Sequence, residues 1–398
     1  MVKVLMISRL FPPNFGGAAV QSIRLAQALI KKGLHVEFFS DNGSEPTVEG
    51  DRYDGITVTR ATTYSDTPAS KFRELVFCLK LFFFVMRRRD LKILHFHSVS
   101  GLEILLFPLF RLMGRKVVLK LTLVDSDDPL TFKNRRYLSP LYMWGLRSVH
   151  SMVAISEELR TRSLAAGIDS QVVRKIYNGF DEENFFIPDL QLKSDLRQKL
   201  GIDESAQVIL SIGKVEHRKG YDLLLESYRF IQQRFPGISL VIVGTGNTDH
   251  NPFYVELCRK IEECGLSNVS FVGNRDNAHE YIKAADYFFF CSRQEGFGTV
   301  MIEAMACGLP TVVTNIAGIT EEIVTDPRIG RISYSRQPEK FAHLALEFMS
   351  KVTASEIQAS IKELKQKFSM ACISQQYIDL YAELLKMTQA PMTGVSSV

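Results

Sequence analysis

Two carboxylates eight positions apart, Glu295 and Glu303, enclose Gly296-Phe-Gly-Thr-Val-Met-Ile302, and Ala304-Met-Ala-Cys-Gly-Leu-Pro310 follows. On an uninterrupted helix that spacing would leave the two side chains roughly 80° apart around the axis. Gly296 and Gly298 break the helix and remove that constraint. The pattern predicts a buried strand over Tyr287 to Cys291, a glycine turn, and a helix that stops at Gly308-Leu-Pro310. Glu295 then stands at the strand end and Glu303 about one turn into the helix. The amides of Phe297, Gly298 and Thr299 lie between them at a helix N-terminus, an arrangement that binds phosphate. A carboxylate repels a phosphate, so the glutamates suit neutral hydroxyl pairs, because one ionised carboxylate can accept two O–H bonds. A diphosphate flanked by two diols is the outline of a nucleotide sugar. In isolation, a Glu pair at this spacing reads as two solvated carboxylates on a surface helix.

Other segments bear chemistry of the same kind. Ser211-Ile-Gly-Lys-Val-Glu-His-Arg-Lys-Gly220 turns at Gly213 and gathers Lys214, Arg218 and Lys219 near a helix start. Cations there would stabilise the charge that develops on a diphosphate leaving group; the alternative is an exposed basic turn. Gly244-Thr-Gly246 closes a strand, and Phe11-Pro-Pro-Asn-Phe-Gly-Gly17 sets Gly16 and Gly17 before a helix, where backbone can approach a ligand closely. His95-Phe-His97 ends a strand with both imidazoles on one face. No third ligand accompanies that pair in sequence, so a structural or acceptor-side His97 is favoured over a metal. Asp125-Ser-Asp127-Asp128 has the outline of an Asp-x-Asp metal motif.

The block from Glu295 to Pro310 resembles the signature of the family 4 retaining glycosyltransferases, whose fold is GT-B. The family pattern is Glu, seven residues, Glu, then Ala-Met-Ala-x-Gly-x-Pro, and all of it is present. The resemblance implies that Glu303 holds the ribose diol and Glu295 contacts the transferred sugar. Gly213 to Gly220 is similar to the family's Gly-Arg-Leu-x3-Lys-Gly, with Lys219 as its lysine. Lys214 replaces the Arg, a point charge in place of a bidentate fork. Residues 11–17 resemble the Pro-Pro-x3-Gly-Gly loop, and Tyr177-Asn-Gly-Phe-Asp181 resembles a family run before the interdomain linker. Where many members have a histidine ahead of the aspartate that Asp125 matches, this chain has Thr122. A histidine base is therefore not implied, and Asp125 or Asp128 is left to meet the acceptor hydroxyl. The resemblance implies a catalytic set of Glu295, Lys219 and Asp125. It implies a donor set of Gly16, Gly17, Gly213, Lys214, Arg218, Lys219, Gly244, Gly246, Glu295, Gly296, Phe297, Gly298, Thr299 and Glu303. His97 and Asp128 are acceptor-side candidates. No metal or cofactor is implied, the Asp-x-Asp motif belonging to a different glycosyltransferase fold. The implied reaction moves a sugar from a nucleoside-diphosphate donor to a hydroxyl of a glycan, a lipid-linked sugar or a small alcohol, with retention. A nucleotide-sugar 2-epimerase and a non-catalytic binding subunit are the competing readings.

The elements that must position these residues alternate strand and helix throughout, which predicts α/β architecture with parallel sheets covered on both faces. With the resemblance, this becomes two Rossmann-like, doubly wound domains facing a central cleft. The expected division is 1–185 for the acceptor domain and 186–372 for the donor domain, with a terminal helix over 373–386 returning to the first. In that helix Tyr377, Leu380, Tyr381, Leu384 and Leu385 share a stripe. The 398 residues are long enough for two cores, and a net charge of +4 without a Lys/Arg tract argues against nucleic acid. Six scattered cysteines support neither a disulfide framework nor a zinc ribbon. The expected location is cytoplasmic, since Val2 to Ser8 is too short for a secretory core and no apolar run reaches the length of a membrane span. The region from Phe72 to Arg89 has two readings, a packed helix or a peripheral contact with anionic membrane. The tail after Gln389 is polar and expected to fray.

Overall fold

The computed structural model describes residues 2–12, 16–41, 48–61 and 71–386. Residues 13–15 of the first glycine loop, the first two positions of a helix that the apolar spacing predicts over 69–89, and the tail after Gln389 lie outside the described residues. The chain forms two compact units. One joins the chain up to Gly179 with the segment from Met370 onward, and the other is Phe180–Ser369.

Among the described residues the first unit carries eight strands: β1 (Lys3–Ser8), β2 (His35–Asp41), β3 (Val48–Tyr53), β4 (Ile56–Ala61), β5 (Ile93–His97), β6 (Lys116–Lys120), β7 (Ser151–Ala154) and β8 (Val173–Lys175). Their order is β3-β4-β2-β1-β5-β6-β7-β8. The central strands are short apolar runs, as a sheet covered on both faces requires; Val4, Leu5 and Met6 of β1 are wholly buried. Every pairing is parallel except β3 with β4. That edge hairpin departs from an all-parallel expectation. Its turn, Asp54-Gly55, has positive φ at both positions (48° and 80°), the type I′ geometry that Asp-Gly favours.

The terminal helix Met370–Lys386 completes this unit's core. Met370, Ile373, Tyr377, Leu380, Tyr381 and Leu384 are buried with Val4, Met6, Leu25 and Leu29. Each such side chain contributes about 1.5–3 kcal/mol of burial, which fastens the last helix to the first sheet. Lys32 adds a hydrogen bond from Nζ to the carbonyl of Ala371 at 2.8 Å.

The second unit carries β9 (Val208–Ile212), β10 (Ser239–Val243), β11 (Val269–Gly273), β12 (Tyr287–Phe290), β13 (Thr311–Thr314) and β14 (Gly330–Ser333). All are parallel, in the order β11-β10-β9-β12-β13-β14. The units divide at Gly179 rather than at 185, and again after Ser369 rather than 372. The reason is local. Phe180 is wholly buried, and its N–H donates to the Phe368 carbonyl at 3.0 Å. Pro188, where polar residues interrupt the apolar pattern, leads into the helix Leu190–Leu200, capped by Asp189 and tied to the second sheet through Arg197 and Asp286.

Candidate active site

In the second sheet the chain runs outward from β9 through β10 to β11, then returns to the other side of β9 as β12. The gap between β9 and β12 is the point where strand order reverses, and ligands bind such parallel sheets beyond the strand C-termini there. The two loops that flank this point are 213–220 after β9 and 291–298 after β12.

These loops are held together by backbone. The Arg293 N–H donates to the Arg218 carbonyl at 2.7 Å. Gly220 has φ of 70°, and a Cβ built there would lie 2.0 Å from the Cys291 carbonyl oxygen. No side chain fits, so glycine at this position sets the approach of one loop to the other. Gly244 does the same for the next strand end: an added Cβ would stand 2.0 Å from the Gly213 oxygen. Asn251 fastens both from the side, donating to the carbonyls of Val215 (2.8 Å) and Gly246 (2.6 Å).

On this frame Lys219 and Glu295 meet. Lys219 Nζ lies 2.5 Å from Glu295 Oε1, with the two side chains 11% and 9% exposed. Ser292 Oγ donates to the same oxygen at 2.9 Å, and Arg218 Nη1 stands 3.5 Å away. The Lys219 ammonium also sits 5.1 Å above the centre of the Phe290 ring. Arg218 is shared with Glu216, Nε to Oε1 at 2.5 Å. Lys214 is turned outward and pairs with Glu216 at 3.7 Å, so only two of the three cations expected to gather reach Glu295.

Gly296 and Phe297 are buried, and Gly298, at φ 83°, caps the helix Thr299–Ala306. A Cβ at Gly298 would lie 2.4 Å from Met301 Cε. Glu303 is the fifth residue of this helix, about one turn in, and is as buried as Glu295 at 7% exposure. The arrangement sets a buried carboxylate–ammonium pair and a second buried carboxylate around a helix start. Such a group can accept hydroxyls and balance phosphate charge.

Sequence reasoning overlooked Ser292, Tyr221 and the Arg293–Asp222 pair. Tyr221 donates to the Gly213 carbonyl at 2.7 Å. Arg293 grips both oxygens of Asp222 at 2.8 and 2.6 Å. The one sequence signal for them is position at a strand end or helix start.

In the first unit Gly16 is extended and Gly17 begins the helix Gly17–Lys31. A Cβ at Gly17 would meet no described atom within 4 Å. Asp125 is held at φ 60° with its side chain 60% exposed, and pairs with Arg162. Asp128 is wholly buried and committed within the chain. It caps the helix Pro129–Lys133 through Thr131, accepts from the Asp125 N–H at 2.8 Å and pairs with Arg162 at 3.0 Å. Thr122, at the position where the family has histidine, donates its hydroxyl to the buried Asp127 at 2.8 Å.

His95 and His97 end β5 with ring centres 4.2 Å apart. His95 Nδ1 is 2.7 Å from the Tyr381 hydroxyl, while Nε2 of each ring has no hydrogen-bond partner among the described residues. Burial, reinforced by Lys120, holds both imidazoles well below their usual range. Burial also brings the Lys120 ammonium down to about 7. All three are bases depressed in the folded state, so unfolding takes up protons between their folded and ordinary values, and stability rises with pH through those windows. The melting temperature is expected to fall as pH drops below about 6.5. Lys120 contributes a further rise between about 7 and 10.5. Lys120→Met should flatten that upper rise in melting curves taken against pH; an unchanged slope would show that Lys120 is not its source. Among the described residues no group of three or more His, Cys, Asp or Glu is placed to hold a metal ion, and no helix is long and apolar enough to cross a membrane.

A sequence model described as Glycosyltransferase Family 4 matches residues 15–184, and one described as Glycosyl transferases group 1 matches 193–367. The chain is 24% identical over 323 residues to N-acetyl-alpha-D-glucosaminyl L-malate synthase of Bacillus anthracis, covering 78% of this chain and 79% of that protein. It is 32% identical over 151 residues to the lipopolysaccharide core biosynthesis mannosyltransferase LpsB of Rhizobium meliloti, covering 38% and 42%. The crystal structure of Anabaena Alr3699/HepE in complex with UDP and glucose superposes with a TM-score of 0.76 at 21% identity, over 96% of this chain and 100% of that one. Two α/β units of this kind are the GT-B class of fold. Within that class the chain belongs to the family 4 glycosyltransferases, the glycosyl transferases group 1.

Proposed function

We propose that the chain transfers a sugar, with retention, from a nucleoside-diphosphate donor bound by the second unit to a hydroxyl acceptor. The observation that carries this reading is the buried Lys219–Glu295 pair on the two loops at the strand-order reversal. The Anabaena neighbour, whose structure holds UDP and glucose, supports a donor of that class. Glu303 accepts the ribose diol. Lys219, assisted by Arg218, balances charge on the departing diphosphate, and Glu295 orients the sugar through its hydroxyls. The helix Thr299–Ala306 presents its N-terminus to phosphate. The bond from the anomeric carbon to the β-phosphate oxygen breaks, the acceptor oxygen bonds the same carbon, and its proton leaves with the phosphate. That balance needs neither a metal nor a separate cofactor.

In the first unit Gly17 opens a helix with open space where a Cβ would stand, which leaves room for a ligand to approach the backbone. Asp125 is the acceptor-side carboxylate, exposed enough to reach a hydroxyl, whereas Asp128 is occupied by its helix cap. Asparagine tolerates positive φ, so Asp125→Asn should keep the melting temperature. The same change should lower acceptor-dependent turnover by roughly tenfold or more, within the range of positioned proton or hydroxyl contacts; full activity would remove Asp125 from the site. The reading as a whole is tested by nucleotide release from UDP-, GDP- and ADP-sugars, with and without added acceptor extracts. Release that requires an acceptor supports it, and interconversion of the donor sugar alone would replace it with an epimerase.

A further inference from the structure

The helix Lys71–Arg87 buries Phe77, Cys78, Leu81 and Val85 on one side. Its opposite side exposes Phe72, Leu75, Leu79, Phe83 and Met86. These positions recur at helical spacing and form an apolar stripe about 21 Å long. The stripe does not end with the helix. Phe82 stacks on Phe110 of the neighbouring helix Phe107–Leu112, which buries Phe107 and Phe110 and exposes Leu109 and Leu112. Helix Ser139–Leu146 packs against the preceding turn, with Gly145 pressed on the Ile104 backbone. It exposes Leu141 and Trp144, Leu112 being 85% and Trp144 53% exposed. Three neighbouring helices thus each turn large apolar side chains outward, more than a chain leaves to water without a partner.

The exposed charges within these segments have one sign. Across residues 71–87, 107–114 and 133–147 the one carboxylate is Glu74. It is turned inward, accepting from Ser100 Oγ at 3.0 Å and the Leu102 N–H at 2.7 Å. Lys71, Arg87, Arg111, Arg136 and Arg147 are exposed in those segments. Outward Phe, Leu and Trp flanked in those segments by exposed Lys and Arg and by no exposed acid complement an apolar layer beneath a negative surface.

We propose that this face seats the first unit on an anionic lipid bilayer, with the apolar stripe in the headgroup boundary and the cations on lipid phosphates. The proposal is independent of the donor site, which belongs to the second unit, so either can fail without the other.

Trp144 is the one tryptophan of the chain, which makes it a built-in reporter. Vesicles containing phosphatidylglycerol should shift its emission to the blue and sediment with the full-length protein. Phosphatidylcholine vesicles should do so weakly, and brominated lipid in the anionic vesicles should quench the emission. Leu79→Glu with Phe83→Glu should lower vesicle partition by about tenfold or more. Arg87→Gln with Arg111→Gln removes two exposed cations, at the cost of the Arg111 hydrogen bond to the Ser148 carbonyl, and should lower it about fivefold per cation. Circular dichroism of each variant would check that it folds. Three results would overturn the proposal. One is no partition into anionic vesicles at low salt. Another is partition that survives both double variants. The third is concentration-dependent self-association that the Leu79/Phe83 variant abolishes, which would make a second copy the occupant.

Discussion

Replacing Glu303 with alanine is expected to weaken donor binding by about 2–4 kcal/mol, roughly 30- to 1,000-fold in Kd. The reasoning starts from burial. Glu303 sits 7% exposed in the helix Thr299–Ala306, where an ionised carboxylate must be met by donors. In the proposed complex those donors include a ribose diol, and hydrogen bonds to a charged acceptor are worth about 1.5–3 kcal/mol each. Glu303→Gln keeps one acceptor oxygen and should lose less. Calorimetry with the donor that supports turnover measures both. A melting temperature close to that of the parent would separate lost contacts from lost fold. Unchanged affinity in Glu303→Ala would end the ribose assignment.

Lys219→Ala is expected to lower turnover by about 10²–10³, the range for removing one group that stabilises charge developing in a transition state. Two effects combine, and they can be told apart. Lys219 would balance the leaving diphosphate, and it also neutralises Glu295, from which it lies 2.5 Å. Its loss leaves Glu295, 9% exposed, with Ser292 and the more distant Arg218. If Lys219 acts only by neutralising Glu295, its removal should cost nothing further in a Glu295→Gln background. If it acts on the diphosphate, Lys219→Ala should still lower kcat in that background, with a smaller change in KM. Lys219→Met keeps most of the stem while removing the ammonium, and so separates lost charge from lost packing.

The sequence carried the parts of this molecule that are local along the chain. Apolar runs of strand length and helical stripes announced both parallel sheets, because a strand covered on both faces has little room for polar side chains. The Glu295–Glu303 segment was readable because strand end, glycine turn and helix start are consecutive. The Asp54-Gly55 hairpin carried a turn signal too, obscured by alternation that otherwise implied parallel pairing.

Other features depended on residues far apart in sequence. Lys219 and Glu295 are 76 positions apart, and they meet because strand order places β12 beside β9. Nothing in the basic turn 213–220 indicates that Lys219 turns in while Lys214 turns out to Glu216. Asp125 and Asp128 look alike in sequence. Arg162 and the Thr131 cap make one an exposed carboxylate and the other a buried structural one. His95 lies under Tyr381, 286 positions away, so its burial and that of Lys120 follow from where the terminal helix docks. The sequence by itself determined the elements and the chemistry each could offer, since backbone periodicity and side-chain type are local properties. The tertiary structure decided which charges are paired and which side chains are dry, because desolvation and ion pairing depend on neighbours in space rather than along the chain.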